Sequence, residues 1–237
     1  MTAPGAAVMH VSAVLFDMDG ILVDTDAAVA DLWAKLGSEY GVAITADDLT
    51  THIYGCVPEH TVETVFSSLS SHDRMQILRQ VRRSEPDLAL TPVPLAAALV
   101  EQLADEGVPL ALVTGASTAR AARALEELGL SDRFGVSVTW GEAERGKPAP
   151  DCYLLAAERL NIDPADCLVF EDTSGGVRAA VAAGASCIAV SGSDPARLSA
   201  VGARHVVPSF ASVRLGLSGG QRVLDVAELE QFPLATR

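Results

Sequence analysis

Short, unbroken apolar runs separated by amphipathic stretches constrain this chain more than any other feature. The runs fall at residues 11–16, 109–113, 136–139, 167–170 and 186–190. Runs of this length without polar alternation suit strands buried on both faces of a parallel sheet. Between them, residues 95–106, 118–128, 151–160 and 175–183 carry apolar side chains at helical spacing, and Gly107, Gly129 and Gly184 stand where helix ends favour a left-handed residue. The alternation predicts an α/β fold, a doubly wound, Rossmann-like parallel sheet whose ligands sit at the carboxyl ends of the strands.

One stretch breaks the rhythm. Residues 26–90 read as helical throughout, with segments near 27–40, 46–53, 59–69 and 73–84, and offer no buried strand. Residues 85–94, which include Pro86, Pro92 and Pro94, read as the returning linker. The expected organisation is therefore a core of residues 1–25 and 91–237 carrying an inserted helical cap, residues 26–90. Around Ser218-Gly219-Gly220, residues 213–224 suggest a small hairpin or an edge element.

Composition narrows the partners. A chain of 237 residues with 49% hydrophobic side chains buries a substantial core. Its 31 acidic against 17 basic side chains, a formal charge of −14, repel phosphate backbones and anionic lipid surfaces, so neither nucleic acid nor membrane is an expected partner. A small anionic substrate stays compatible, because a metal ion and one or two local cations dominate the field inside a cleft. The four cysteines, Cys56, Cys152, Cys167 and Cys187, form no C-x-x-C pair and read as reduced thiols. With no apolar stretch of membrane-spanning length and no signal-peptide pattern, the expected location is cytoplasmic, as a monomer or homodimer.

Chemistry-bearing residues recur where buried runs end. Asp17 and Asp19, in the string Asp17-Met18-Asp19-Gly20, follow the first run, and Gly20 permits a sharp turn that brings both carboxylates to one ligand. Hard carboxylate oxygens suit Mg²⁺, Asp17 suits a nucleophile in phosphoryl transfer, and Asp19 suits its proton carrier. The same string also suits a plain turn or helix start. Three further strand ends decide between the two. Thr114, Gly115 and Ala116 form a hydroxyl-and-amide cradle for phosphate, with Ser117 as a helix N-cap. Lys147, framed by Gly146 and Pro148, balances the charge of an anionic nucleophile meeting an anionic group. Asp172 supplies a second metal carboxylate, and Glu171 either holds a metal-bound water or orients Lys147.

These four segments, in this order and with a helical insertion after the first, resemble the haloacid dehalogenase superfamily, over nearly the whole chain. The resemblance implies a two-step phosphatase mechanism. Asp17 attacks phosphorus, Asp19 protonates the leaving oxygen and then deprotonates the hydrolytic water, and Thr114, Gly115, Ala116 and Lys147 hold the phosphoryl oxygens. It also implies Mg²⁺ bound by Asp17, the backbone carbonyl of Asp19, and Asp172. The dehalogenase branch lacks the acid two residues after the nucleophile, so Asp19 points to phosphoryl chemistry.

Within the superfamily the chain looks like the branch of sugar and polyol phosphatases and β-phosphoglucomutases. Trp33, His52, Gly55, Cys56, Glu59 and His60 are the expected specificity residues, although Trp33 equally suits helix packing and the histidines a surface loop. Relatives place an arginine one or three residues after the glycine, where this chain has Cys56 and Pro58. That loss counts against a mutase, which must hold a second phosphate. The leading expectation is a Mg²⁺-dependent hydrolase of small phosphomonoesters. A hexose-phosphate mutase is the runner-up, and a non-catalytic sensor of phosphometabolites is the reading from a different class.

Overall fold

The computed structural model describes residues 9–191, 194–227 and 229–235. Residues 1–8, 192–193, 228 and 236–237 of the expected core lie outside the described residues. The chain opens with β1 (Ala13–Phe16), turns through Gly20 and forms the two-residue β2 (Val23–Asp24). Four helices follow: α1 (Asp26–Tyr40), α2 (Ala46–Asp48), α3 (Pro58–Thr64) and α4 (Ser71–Ser84). The chain returns through β3 (Thr91–Pro92) into the alternating series α5 (Ala96–Asp105), β4 (Leu110–Val113), α6 (Thr118–Glu127), β5 (Val136–Val138), α7 (Asp151–Leu160), β6 (Cys167–Glu171), α8 (Ser174–Ala182), β7 (Ser186–Val190), α9 (Pro195–Ala200) and β8 (His205–Val207). Strands β9 (Val213–Ser218), β10 (Gln221–Val226) and β11 (Glu230–Pro233) close the chain.

The main sheet is parallel, in the order β5-β4-β1-β6-β7-β8. From β1 the chain steps outward to β4 and β5, then returns to the other side of β1 and steps outward through β6, β7 and β8. The direction therefore reverses between β1 and β6, and in sheets of this kind that reversal leaves a crevice at the carboxyl ends of the strands.

Strand alternation explains why the apolar runs are unbroken. Val14, Phe16, Leu110, Leu112, Leu168 and Phe170 face one layer, against α5, α6 and the C-terminal strands. Ala13, Leu15, Ala111, Val113, Cys167 and Val169 face the other, against α7 and α8. Each fully buried large side chain contributes about 1.5–3 kcal/mol of transfer free energy, so polar replacement on either face opposes folding. The helices after β2 bury a separate cluster of Trp33, Leu36, Ile53, Val62, Phe66, Ile77 and Val81, with the Trp33 and Phe66 rings 5.9 Å apart. Where the chain leaves for these helices and where it returns, β2 and β3 pair antiparallel, Val23 opposite Pro92 and Asp24 opposite Thr91.

Several elements differ from the sequence expectation. The helix expected over 59–69 stops at Thr64, followed by turns, and the one expected over 46–53 is a single α-turn, started by the Thr45 capping box, that continues as a π-turn at Leu49–Ile53. The expected hairpin is the first part of a three-stranded antiparallel sheet, which a bridge from Val11 to Leu234 ties to the start of the chain. Phe232 and Leu224 belong to the main core, which explains why a third strand forms there. Strands β8 and β11 are too short to stand out by periodicity. No helix among the described residues is long and apolar enough to cross a membrane.

Candidate active site

The four strand-end segments converge at the carboxyl edge of the sheet. Asp17 directly follows β1, its backbone N–H donating to the carbonyl of Phe170 in β6, and both its side chain and that of Lys147 are almost completely buried. Lys147 Nζ donates to Asp17 Oδ1 at 2.8 Å, to Glu171 Oε1 at 2.6 Å and to the Val113 carbonyl at 3.1 Å. One ammonium thus joins the ends of β1, β4 and β6. Tyr153 of α7 also donates its hydroxyl to Glu171 Oε1, at 2.8 Å. Glu171 Oε2 accepts from the Asp172 and Thr173 amides and the Thr173 hydroxyl, so this carboxylate is fully engaged in bracing the loop and orienting Lys147.

Charge in this pocket is unbalanced. Burial first, and then the neighbouring Glu171 charge, push Asp17 up to about 7 despite the opposing Lys147. Burial and the same neighbours hold Asp172 well above the usual carboxylate range. Burial disfavours the Lys147 ammonium, yet Asp17 and Glu171 outweigh it and raise its pKa. Oxygens of Asp17, Glu171 and Asp172 lie within 4.8 Å of one another, and Asp172 Oδ1 is buried without a hydrogen-bond partner. Three crowded carboxylates, one lysine and an orphaned hard oxygen fit a divalent cation such as Mg²⁺. Gly20 makes room for this cluster: at φ 76° its place for a Cβ lies 1.9 Å from Asp172 Oδ2, so no side chain fits.

The phosphate-cradle candidates lie beside it. The Thr114 side chain is buried at the end of β4 and accepts from the Ala116 amide at 3.0 Å. Ser117 caps α6 by accepting from the Arg120 amide, as the residue pattern suggested.

Asp19 is held in a way the sequence reading missed. Arg120, on the first turn of α6, donates from Nη1 to Asp19 Oδ1 at 3.0 Å and from Nη2 to Oδ2 at 2.7 Å, while the Thr25 hydroxyl donates to Oδ1 at 2.6 Å. Arg120 is 5% exposed, and its Nε lies 2.5 Å from Oε1 of Glu85, itself buried just beyond α4. Glu85 Oε1 also accepts from the Ser117 amide at 3.0 Å. The signal for Arg120 was present: Arg120, Ala121, Ala124 and Leu125 share the buried face of α6, and an arginine on an apolar stripe needs an acidic partner.

A segment of the helical unit seals the site. The place for a Cβ at Gly55, which has φ 71°, lies 2.6 Å from Thr173 Oγ1, that at Gly115 lies 3.6 Å from the Cys56 carbonyl, and that at Gly146 lies 2.6 Å from Val57 Cγ1. Residues 55–57 therefore press between three of the four strand-end loops. Asp17, Asp19, Asp172, Trp33, Gly55, Cys56, Glu85 and Arg120 line one cavity of about 60 Å³. Burial lifts the Cys56 thiol to about 11, so it sits there neutral. Glu59 and His60 instead line a neighbouring groove of about 440 Å³ with Thr114, Trp140 and Lys147. His52 faces His60, Nδ1 to Nε2 at 3.2 Å, and lines neither space. Glu59 accepts from Trp140 Nε1 at 2.8 Å, which joins α3 to the loop after β5.

Comparison with known proteins fits this geometry: residues 11–184 match the family described as haloacid dehalogenase-like hydrolase. The chain belongs to that family. As a haloacid dehalogenase-like hydrolase it is an enzyme, and its relatives include phosphomonoester hydrolases. It is 34% identical over 199 residues to Hexitol phosphatase A of Escherichia coli, covering 81% of this chain and 89% of that protein. It is 27% identical over 194 residues to the Beta-phosphoglucomutase of Bacillus subtilis, covering 77% of this chain and 84% of that one. Among solved structures, the β-phosphoglucomutase of Clostridium difficile superposes with a TM-score of 0.71 at 22% identity, covering 84% of this chain and 91% of that one, a likeness of fold.

Proposed function

We propose that this haloacid dehalogenase-like hydrolase is a Mg²⁺-dependent phosphatase of small phosphomonoesters, sugar or polyol phosphates, working through an aspartyl-phosphate on Asp17. The observation that carries this reading is the buried convergence of Asp17, Lys147 and Asp172 at the reversal point of the sheet. An Asp17 oxygen forms the bond to phosphorus as the ester P–O bond breaks, and the Asp19 proton passes to the leaving oxygen. Asp19 then takes the proton of the water that cleaves the acyl phosphate, returning the carboxylate of Asp17 and releasing phosphate.

Lys147 offsets repulsion between nucleophile and phosphoryl group, and the Thr114 hydroxyl with the amides of Gly115 and Ala116 binds its oxygens. Asp17, the Asp19 carbonyl and Asp172 would hold Mg²⁺, with Glu171 outside that set, engaged by Lys147 and the Thr173 loop. The ion would supply charge neutralisation at the phosphoryl oxygens.

Residues 26–90 act in this reading as a cap. Residues 55–57 press against the loops around Asp17, so the cap swings away to admit substrate and closes to exclude water. Hexitol phosphatase A supports the substrate class by its name and its 34% identity. The Bacillus subtilis relative keeps a hexose-phosphate mutase as the alternative. The experiment is phosphate release from a panel of sugar and polyol phosphates, with and without Mg²⁺. Release that needs the metal is expected, and interconversion of hexose phosphates without release would replace this reading by the mutase.

A further inference from the structure

We propose that Glu85 is a specificity-determining residue whose carboxylate accepts a hydrogen bond from a hydroxyl of the substrate, selecting polyhydroxylated monophosphates over substrates that carry a second anion. The proposal rests on the phosphomonoester reading above.

Glu85 is 5% exposed and lines the same cavity as Asp17 and Asp19. Its two oxygens are used unequally. Oε1 is taken by the Ser117 amide and by Arg120, which fixes the carboxylate against α6. Oε2 is buried and has no hydrogen-bond partner among the described residues. An acceptor left unpaired in a buried, partly apolar pocket is satisfied by a donor that arrives with the ligand. An alcohol is such a donor, whereas a phosphate or carboxylate is not.

Charge points the same way. Among the described residues lining this cavity Arg120 is the one cation, against the carboxyl groups of Asp17, Asp19, Asp26, Glu85 and Asp172. Its guanidinium is already shared between Asp19 and Glu85. The loop positions at which an arginine would point in from the cap hold Cys56 and Pro58, which also line the cavity and carry no positive charge. A second phosphate entering here meets these carboxyl groups and no unpaired cation. Trp33, Val81 and Leu88 on the remaining wall suit the C–H faces of a carbon chain. Arg120 is then a positioning residue, holding both the proton carrier and the hydroxyl acceptor from one guanidinium.

The test compares a hexitol 6-phosphate with hexyl phosphate, equal in length and lacking the hydroxyls, and with a hexitol bisphosphate, in the wild type and in Glu85→Gln. In the wild type kcat/KM for the hexitol phosphate should exceed that for hexyl phosphate by about tenfold or more. In Glu85→Gln that ratio should shrink by about tenfold, mainly through KM for the hexitol phosphate, while the rejection of the bisphosphate relaxes. A merely structural role would lower all three substrates in proportion and would overturn the proposal. Should the variant fail to fold, the wild-type comparison still decides, because equal efficiency on hexitol and hexyl phosphates overturns it as well. Failure to release phosphate from any of the three would instead count against the phosphatase reading itself.

Discussion

The carboxylate of Asp19 is gripped end-on by Arg120, at 3.0 and 2.7 Å, although the two residues are 101 positions apart in the chain. This pair ties the loop after β1 to α6, and Glu85 extends it to the chain segment returning from the helical unit. Removing the guanidinium strands two largely buried carboxylates. Arg120→Met is expected to lose about 3 kcal/mol, a fall in Tm of roughly 6 °C or more, with a loss of kcat. Arg120→Lys keeps the charge without the fork, and should recover part of the Tm but little of the kcat. Calorimetry with steady-state kinetics checks both, and equal Tm values across the three proteins would deny the pair any energetic role.

Asp17→Asn keeps the shape of the side chain and removes the carboxylate proposed above as the nucleophile. Turnover is expected to drop roughly ten-thousand-fold or more, with the circular dichroism spectrum unchanged. Substantial activity in the pure, folded variant would move the nucleophile elsewhere.

With Mg²⁺ bound as proposed above, carboxyl crowding would make its effect on stability depend on pH. In chelated protein Asp17 has its pKa raised from 3.8 to about 7, and Asp172 is raised as well. Between those values the unfolded chain has released a proton that the folded one still binds. The contribution of Asp17 to stability is therefore fully present below about 3.8 and is lost as pH rises through about 7, by up to about 1.4 kcal/mol per pH unit, and the raised Asp172 acts in the same direction. Mg²⁺ competes with those protons, so its stabilisation should be larger at pH 8 than at pH 5. Thermal melts with and without Mg²⁺ at the two values read this directly, and an equal Mg²⁺ shift at both would contradict it.

Gly20→Ala places a methyl group where Asp172 Oδ2 sits, at a left-handed φ. The carboxylate must move, and apparent Mg²⁺ affinity, read from the same melts, should weaken about tenfold or more. Unaltered Mg²⁺ affinity would remove Asp172 from the ion's surroundings.

Trp140 and Glu59 should show energetic coupling across the groove. Trp140→Phe deletes the indole N–H that reaches Glu59 and leaves the ring that Arg82 overlies at 5.3 Å. A double-mutant cycle with Glu59→Gln is expected to give a coupling near 1 kcal/mol. Strict additivity would mean the contact contributes nothing.

Much of this architecture is legible in the sequence, for definite reasons. Strands buried on both faces leave unbroken apolar runs, and Asp17, Thr114 and Glu171 stand at or just beyond the carboxyl ends of three of them, where the loop after β5 brings Lys147. The Arg120–Glu85 pair was missed because its halves look ordinary apart. Arg120 sits in an alanine-rich helix where arginines are usually solvated, and Glu85 opens a proline-rich stretch that reads as a linker. Only folding brings α6 beneath that stretch. The three-stranded C-terminal sheet was half seen, because Phe232 has no periodic neighbours to announce a strand and is held by the core it completes.

The pairing of β2 with β3 brings the two ends of the helical unit side by side, so a different unit could be grafted there without disturbing a single residue of the main sheet. Such a chimera would carry away Glu85 and leave Arg120 behind. Exchange of specificity between relatives by swapping helices alone would then deliver an arginine with half its partners missing, and a working hybrid would need α6 to travel with the graft.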